Sequence, residues 1–449
     1  MGGAGEGEYT QTGPFPDPTR QPGGEFGRVG AGFFSVPCPI RRGPSGRCLS
    51  AAFAFSIPHP STVSVLLRQS FWNSVISYAG AVLGMVVTLF LYPNILLPDQ
   101  YGLTRLFISF SLVGAQFAHL GIRATLLRFM PMVREFPVSR HAFIRLSLAV
   151  PIAGMVLVVL FHWGAGGWIE TKYAESPLFL DYRWWVVPIT LYMVYYEVLN
   201  SMLRSEQDSL TGTFAMELLN RVLVIGLLWA YRTGGLSFDT FVVAFTLVYA
   251  VTTAYLLGIL ARRGYFKEPA KEEAEQSASK PGPPRNGAKA RASRWRIPRR
   301  LRDVTVRYSL YSLLGGMTNL LVWNVDVMML GAIVGLDSTA IYSVAFYMGS
   351  VMSIPLRSAE RIGTPLIAAH IRRRNWREVA DVYRETSLNP FLIAFLAAML
   401  LWVNIDLLFT FMPEVYAGGR WVVFWIALGQ LVNVAAGLNG SILVTSRFY

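Results

Sequence analysis

The sequence predicts an all-α integral membrane protein made of two similar helical bundles, and three observations carry that prediction. Charged residues make up 15% of the 449 residues and apolar types 53%, where a soluble chain carries about 25% charged residues. Apolar runs of the length needed to cross a bilayer as a helix, about 20 residues, recur along the chain, and mean hydropathy is +0.41. Lysine and arginine are concentrated in alternate connections between those runs, a pattern of membrane topology rather than of a soluble basic face.

Residues 1–64 are rich in Gly, Pro and Arg without periodicity and read as a disordered tail or a misassigned start. The stretch 49–57 is short and apolar but ends in Pro-His-Pro and lacks a signal-peptide cleavage site. About ten spans are expected, near 72–93, 103–124, 144–163, 184–204, 214–231, 236–260, 307–333, 338–358, 386–405 and 419–441. The links after the first and seventh spans are short, so each joins an antiparallel hairpin. Residues 65–260 form the first, six-helix bundle, 261–306 a basic linker with a Pro281-Gly-Pro-Pro284 core, and 307–449 a second, incomplete bundle. The arginines of that linker set topology and could also meet anionic lipid.

Arg128, Arg134, Arg140 and Arg145, the linker, and Arg372, Arg373, Arg374, Arg377 and Arg384 all fall on one side. Asp99, Glu170, Glu175, Asp181, Asp337 and Glu414 fall on the other, with only Lys172, Arg183, Arg232 and Arg420. The positive-inside rule then places the N-terminus in the cytoplasm. The halves repeat one outline: a helix, a short turn with Asp99 or Asp337, an aromatic at Tyr101 or Tyr342, a second helix and a basic connector. Within 372–386, Trp376, Val379 and Tyr383 line one face, which predicts an amphipathic helix at the interface, with 131–145 in the equivalent place. Such an internal repeat suggests a two-lobed transporter with its site between the lobes.

Polar side chains inside the spans fall on helix faces. Ser109, Gln116, His119 and Arg123 share one face of span 2, and Glu197, Asn200 and Arg204 one face of span 4. Span 5 carries Glu217, Asn220 and Arg221, span 7 Tyr311, Gly315, Asn319 and Asp326, and span 8 Ser350, Ser353, Arg357, Glu360 and Arg361. A charge at mid-bilayer costs at least ~2.5–3.5 kcal/mol, so each needs a partner or a task. Asp326 reads equally as a coupling carboxylate and as an inter-helix contact, and Glu197 as an ion pair with Arg204 or Arg221. Arg123, Arg357 and Arg361 sit near helix ends, where they either snorkel into headgroups or line a path for an anion, for which a guanidinium fork is suited.

Cys38 and Cys48 are the two cysteines, both in the tail, and neither they nor the five His form a metal-ligand pattern. No Walker sequence, HExxH or GxSxG is present, so no catalytic site, metal or cofactor is expected and the chain reads as a transporter rather than an enzyme.

Ser70-Phe-Trp-Asn-Ser, Tyr78-Ala-Gly, Leu91-Tyr-Pro, Leu97-Pro-Asp-Gln-Tyr-Gly102, Leu120-Gly-Ile and Arg128-Phe-Met-Pro131 resemble polysaccharide biosynthesis proteins. These are O-antigen-type flippases of the multidrug/oligosaccharidyl-lipid/polysaccharide (MOP) superfamily. Asn324-Val-Asp-Val-Met-Met-Leu330, Ile354-Pro-Leu-Arg357, Pro365-Leu-Ile-Ala and Asn439-Gly-Ser-Ile-Leu extend the resemblance over 65–449. It implies a multi-pass protein of a bacterial or archaeal cell membrane that flips polyprenyl-diphosphate-linked oligosaccharide outward by alternating access. Its partners would be that substrate, membrane lipids and polysaccharide-assembly proteins, with no nucleic acid. Arg123, Arg204, Arg357, Arg361, His119 and Gln116 would line a cationic cavity. Asp326, Asn319, Glu197 and Glu217 would be coupling or inter-helix groups. The family's twelve or more spans imply that this chain stops short of a full second bundle. A MATE-like drug/cation antiporter is the nearest alternative, favouring acidic residues in the cavity. A membrane glycan polymerase or ligase is a more distant one, since the outer loop at 164–183 is too modest for it.

Overall fold

The computed structural model describes residues 60–133, 137–266 and 299–445, all of them helices joined by short turns. The tail through residue 59 and most of the basic linker lie outside the described residues.

Helix α1, Pro60–Met85, begins inside the expected tail and passes through a π-helical turn, Val86–Leu91, into α2, Tyr92–Ile95. Pro93 has no N–H to donate, which loosens the ladder at this point. Pro98 then starts α3, Pro98–Ala118, at the one helical position that tolerates proline well, and the Leu97 N–H donates to Gln100 Oε1 at 3.2 Å. Leu120 at φ 46° and Gly121 at φ 76° break the helix, and α4, Ile122–Val133, leaves at 51° to α3.

Helices α5 (Pro137–Gly164), α6 (Gly166–Lys172), α7 (Pro177–Tyr182), α8 (Val186–Ser205), α9 (Leu210–Phe214), α10 (Asn220–Arg232) and α11 (Phe238–Arg262) complete the first half. A second π-helical turn, Ala215–Leu219, joins α9 to α10. The second half runs through α12 (Arg299–Ile333), α13 (Leu336–Ser350), α14 (Ile354–Arg372), α15 (Trp376–Val403), α16 (Ile405–Thr410), α17 (Arg420–Ala435) and α18 (Asn439–Thr445). Helix α12 bends by 47° between Thr318 and Leu320.

Among the described residues, eight helical stretches are long and apolar enough to cross a membrane, or up to ten when each bent pair counts as one span. The chain is a multi-pass, all-α membrane protein. Further boundaries differ from the sequence reading. Span 8 continues through a 3-10 turn, Val351–Ser353, to Arg372, well beyond residue 358, because Pro355 falls in the first turn of α14, where its missing N–H leaves no bond unmade. The expected interfacial helix is not a separate element. Asn375 caps α15, its side chain accepting from the Glu378 N–H, and that helix runs unbroken from Trp376 into span 9. The basic residues Arg299, Arg300 and Arg302, expected in the linker, lie in the first turn of α12.

The distribution of buried side chains fixes how the halves meet. One large cluster draws on both: Tyr92, Tyr101, Leu106 and Phe107 from the first, Leu336, Val344, Met348 and Tyr416 from the second. It lies toward the end that carries Asp99, Glu175 and Asp337. There α3 packs lengthwise on α13, and Gly102 approaches Leu336 so closely that a Cβ would strike its carbonyl. Tyr173 donates to the Met328 carbonyl at 3.0 Å and Ser176 to that of Gly331 at 2.6 Å, crossing the same boundary. Toward the basic end each half has a core of its own: Leu126, Phe143, Leu199 and Leu256 in the first, and Met352, Leu356, Ala394 and Val434 in the second. The halves still touch there, where Tyr308 packs against Phe129 and the Ser309 and Thr125 hydroxyls meet at 2.6 Å.

Candidate functional site

Two clefts lie between the halves. Each is built from the second helix of one half and the first helix of the other, as an internal repeat requires. The registers match: Arg123 lies 24 residues after Asp99 and Arg361 lies 24 after Asp337 (123 − 99 = 361 − 337).

The first cleft lies between the α3–α4 break and α12. Gln116, His119, Arg123, Tyr308, Tyr311, Ser312, Gly315 and Gly316 line a cavity of about 560 Å³. Its polar groups form one connected chain. The Gly121 N–H donates to His119 Nδ1 at 3.0 Å, so Nε2 carries the proton and donates to Gln116 Oε1 at 2.9 Å. The Gln116 amide in turn donates to the Leu313 carbonyl at 3.3 Å, tying the two halves. Gly121 has the positive φ that only glycine adopts freely, and a Cβ there would meet the Ser309 carbonyl. Arg123 pairs with Glu197 of α8 at 3.1 Å.

The second cleft lies between α1, the α9–α10 junction, α13 and α14. Ser77, Tyr78, Glu217, Arg221, Tyr347, Arg357, Ser358 and Arg361 line about 280 Å³. Glu217 and Arg221 pair one turn apart at 2.8 Å. Helix α1 makes room for them with glycine: a Cβ on Gly80 would come within 2.6 Å of Glu217 Cβ, and one on Gly84 would collide with the Arg221 guanidinium. Tyr78 and Ser358 hydroxyls meet at 2.8 Å, and Tyr347 donates to the Ala81 carbonyl at 3.0 Å, joining the halves. Arg357 and Arg361 have no ion-pair partner among the described residues. This cleft therefore holds three arginines against one glutamate.

The expected cavity residues are thus divided between two places. Gln116, His119 and Arg123 share the first cleft, and Arg357 and Arg361 share the second. Arg204 is exposed on the last turn of α8 and lines neither. Glu197 pairs with Arg123 instead of Arg204 or Arg221. Arg204 is two turns away along α8, about 10 Å by helical rise, and Arg221 is taken by Glu217. Asp326 lies past the α12 bend, accepting from the Val327 N–H at 2.9 Å and from the Tyr342 hydroxyl of α13, so it makes a contact between helices of one half. The Asn319 side chain lies outside the described residues. Arg221 and Tyr311 stand on the polar faces read from sequence but not among the expected cavity residues, and Tyr308 was not singled out. The four-residue spacing of Glu217 with Arg221, matched by that of Gly80 with Gly84, is the signal that points to the first of them.

A family model described as "Polysaccharide biosynthesis protein" matches residues 66–359. The chain belongs to the polysaccharide biosynthesis protein family. That match covers nearly all of the described first half and every residue lining the two clefts except Arg361. Among solved structures, the chain is similar to an inward-facing multidrug resistance MATE family transporter of the MOP superfamily. The TM-score is 0.56 at 16% identity, covering 83% of each chain. A MATE protein in complex with MaL6 matches at TM-score 0.48 and 15% identity, over 84% of this chain and 85% of that one. The first likeness shows that this polysaccharide biosynthesis protein shares the fold of that transporter. No curated protein matches the sequence.

Proposed function

We propose that this polysaccharide biosynthesis protein is a flippase that carries a polyprenyl-diphosphate-linked oligosaccharide from the cytoplasmic to the outer leaflet. The observation that carries the reading is the second cleft. Arg221 from one half and Arg357 and Arg361 from the other face one cavity with a single carboxylate among them. A diphosphate brings at least two negative charges and several acceptor oxygens, which guanidinium groups bind in pairs. Because the arginines come from both halves, the anion bridges the two bodies whose relative motion would expose it on the other side. The basic ends of the helices face the cytoplasm in this reading, and so does the N-terminus. In this reading the arginine cleft receives the diphosphate from the cytoplasmic leaflet of the cell membrane. The assembly proteins that act before and after the flip are the expected partners.

The test is complementation of a strain lacking its own flippase. With the chain inserted in the membrane, lipid-linked intermediates clear and surface polysaccharide returns. The Arg357→Ala/Arg361→Ala double variant, inserted to the same level, lowers surface polysaccharide at least tenfold. Persistent intermediates with the parent chain, accompanied by export of cationic dyes, would replace this reading with the antiporter.

A further inference from the structure

The two clefts occupy equivalent registers yet differ in charge, and the difference assigns them different parts of one substrate. We propose that the cleft between the α3–α4 break and α12 is a glycan subsite that takes uncharged sugar residues, while the arginine cleft takes the diphosphate. This rests on the flippase reading given above.

Charge accounts for the choice of an uncharged glycan. Arg123 is the one arginine lining the cleft, and Glu197 at 3.1 Å matches it. His119 has both ring nitrogens engaged, one accepting and one donating, which is the pattern of a neutral imidazole, and Gln116 spends its amide on His119 and Leu313. Arg128 lies outside the cavity lining, its guanidinium carbon 4.6 Å from the Tyr308 ring centroid. An acidic sugar entering here meets no unmatched cation in the lining and faces Glu197 behind Arg123.

Shape and surface account for the choice of sugar. Tyr311 is 68% exposed and has no ring partner among the described residues, so its face is available. Tyr308 beside it is held in place, with Arg128 over its ring and the Phe129 ring against it at 5.8 Å. Sugar rings present apolar C–H faces edged by hydroxyls, and exposed aromatic rings beside a few fixed polar groups suit that surface. Ser312 supplies a hydroxyl, and Gly315 leaves open space on the α12 wall. At about 560 Å³ this cleft has twice the room of the arginine cleft at about 280 Å³. The larger, neutral, aromatic space suits several sugar residues and the smaller cationic one a diphosphate. Each cleft is lined by residues of both halves.

The experiment measures binding of three probes to the purified full-length chain: bare polyprenyl diphosphate, the same lipid carrying a neutral tetrasaccharide, and the same lipid carrying a tetrasaccharide with one hexuronic acid. For each variant the readout is the ratio of glycosylated to bare affinity. The parent is expected to bind the neutral glycolipid at least tenfold more tightly than the bare lipid, and Tyr311→Ala to reduce that ratio to near one. Glu197→Gln frees the charge of Arg123 and is expected to shift preference toward the hexuronic acid probe about tenfold. That gain cannot come from misfolding. A neutral-glycan ratio unaffected by Tyr311→Ala, or a parent that prefers the hexuronic acid probe, overturns the assignment. A parent that binds none of the three overturns the flippase reading itself.

Discussion

Asp208 illustrates how single side chains hold the basic end together. It sits in the turn between α8 and α9, accepts from the Thr211 N–H at 3.1 Å and its hydroxyl at 2.8 Å, and pairs with Arg263 at 2.6 Å. Burial works to raise its carboxyl pKa, but the Thr211 and Arg263 hydrogen bonds outweigh it and hold the group below the ordinary aspartate value. A carboxylate whose pKa is depressed by folding contributes stability above the unfolded value, about 3.9. That contribution is lost as pH falls through the folded value. Asp208→Ala should therefore lower stability by about 1–2 kcal/mol near neutral pH. In melting experiments on the purified chain, the gap to the parent should narrow as pH drops from neutrality toward 3. At this scale the sequence disclosed which residues matter better than which residues meet. Gln116, His119 and Arg123 were legible as one face from spacing alone. Their division from Arg357 and Arg361 was not, because it depends on which half supplies the opposite wall. The partner of Glu197 lies on another helix 74 residues away (197 − 123), and no local pattern encodes such a contact.

Among the elements, α3 and α13 decide the architecture. Their seam is tight because Gly102 lets the backbones approach, and Tyr101, Leu103, Leu106 and Val344 beside it are almost fully buried. Gly102→Ala puts a methyl group against the Leu336 carbonyl, a clash with backbone that no rotamer change relieves, and overpacking of this kind costs about 1–3 kcal/mol. It should loosen the seam. A cysteine placed at Ser343, which is 1% exposed, should then react faster with a thiol reagent than in the parent, Cys38 and Cys48 being replaced in both. Hydropathy and the proline-bearing turns made the ten spans legible. The break at Leu120–Gly121 was not, because an apolar run reads the same whether its helix is straight or bent. The interfacial helix was misplaced for a related reason. An amphipathic pattern at the start of a span shows which face is polar, not whether the helix stops before the apolar part begins.

At the scale of the whole molecule, the core shared by the two halves lies at the acidic end, and the proposed function takes the basic end as cytoplasmic. That topology can be measured directly. In cysteine-replaced chains, a cysteine at Glu175 should react with a membrane-impermeant maleimide in intact cells, and one at Arg374 only after lysis. The opposite result would turn the chain over in the membrane. The two-fold outline was legible from the repeated turns at Asp99 and Asp337. The inequality of the two clefts was not: each has one glutamate, but the first has one arginine and the second three, and spacing does not show which helices share a wall.

The matched 24-residue registers of the two halves bear on the thermodynamics of the cycle. In the flippase reading, two bodies of like design would rock about a common seam, each facing state exchanging the packing roles of one half for those of the other. Such a protein would lower a barrier without choosing a direction, and net flux would come from outside this symmetry: from synthesis of cargo on one side and its consumption on the other, or from an ion that binds the two states unequally.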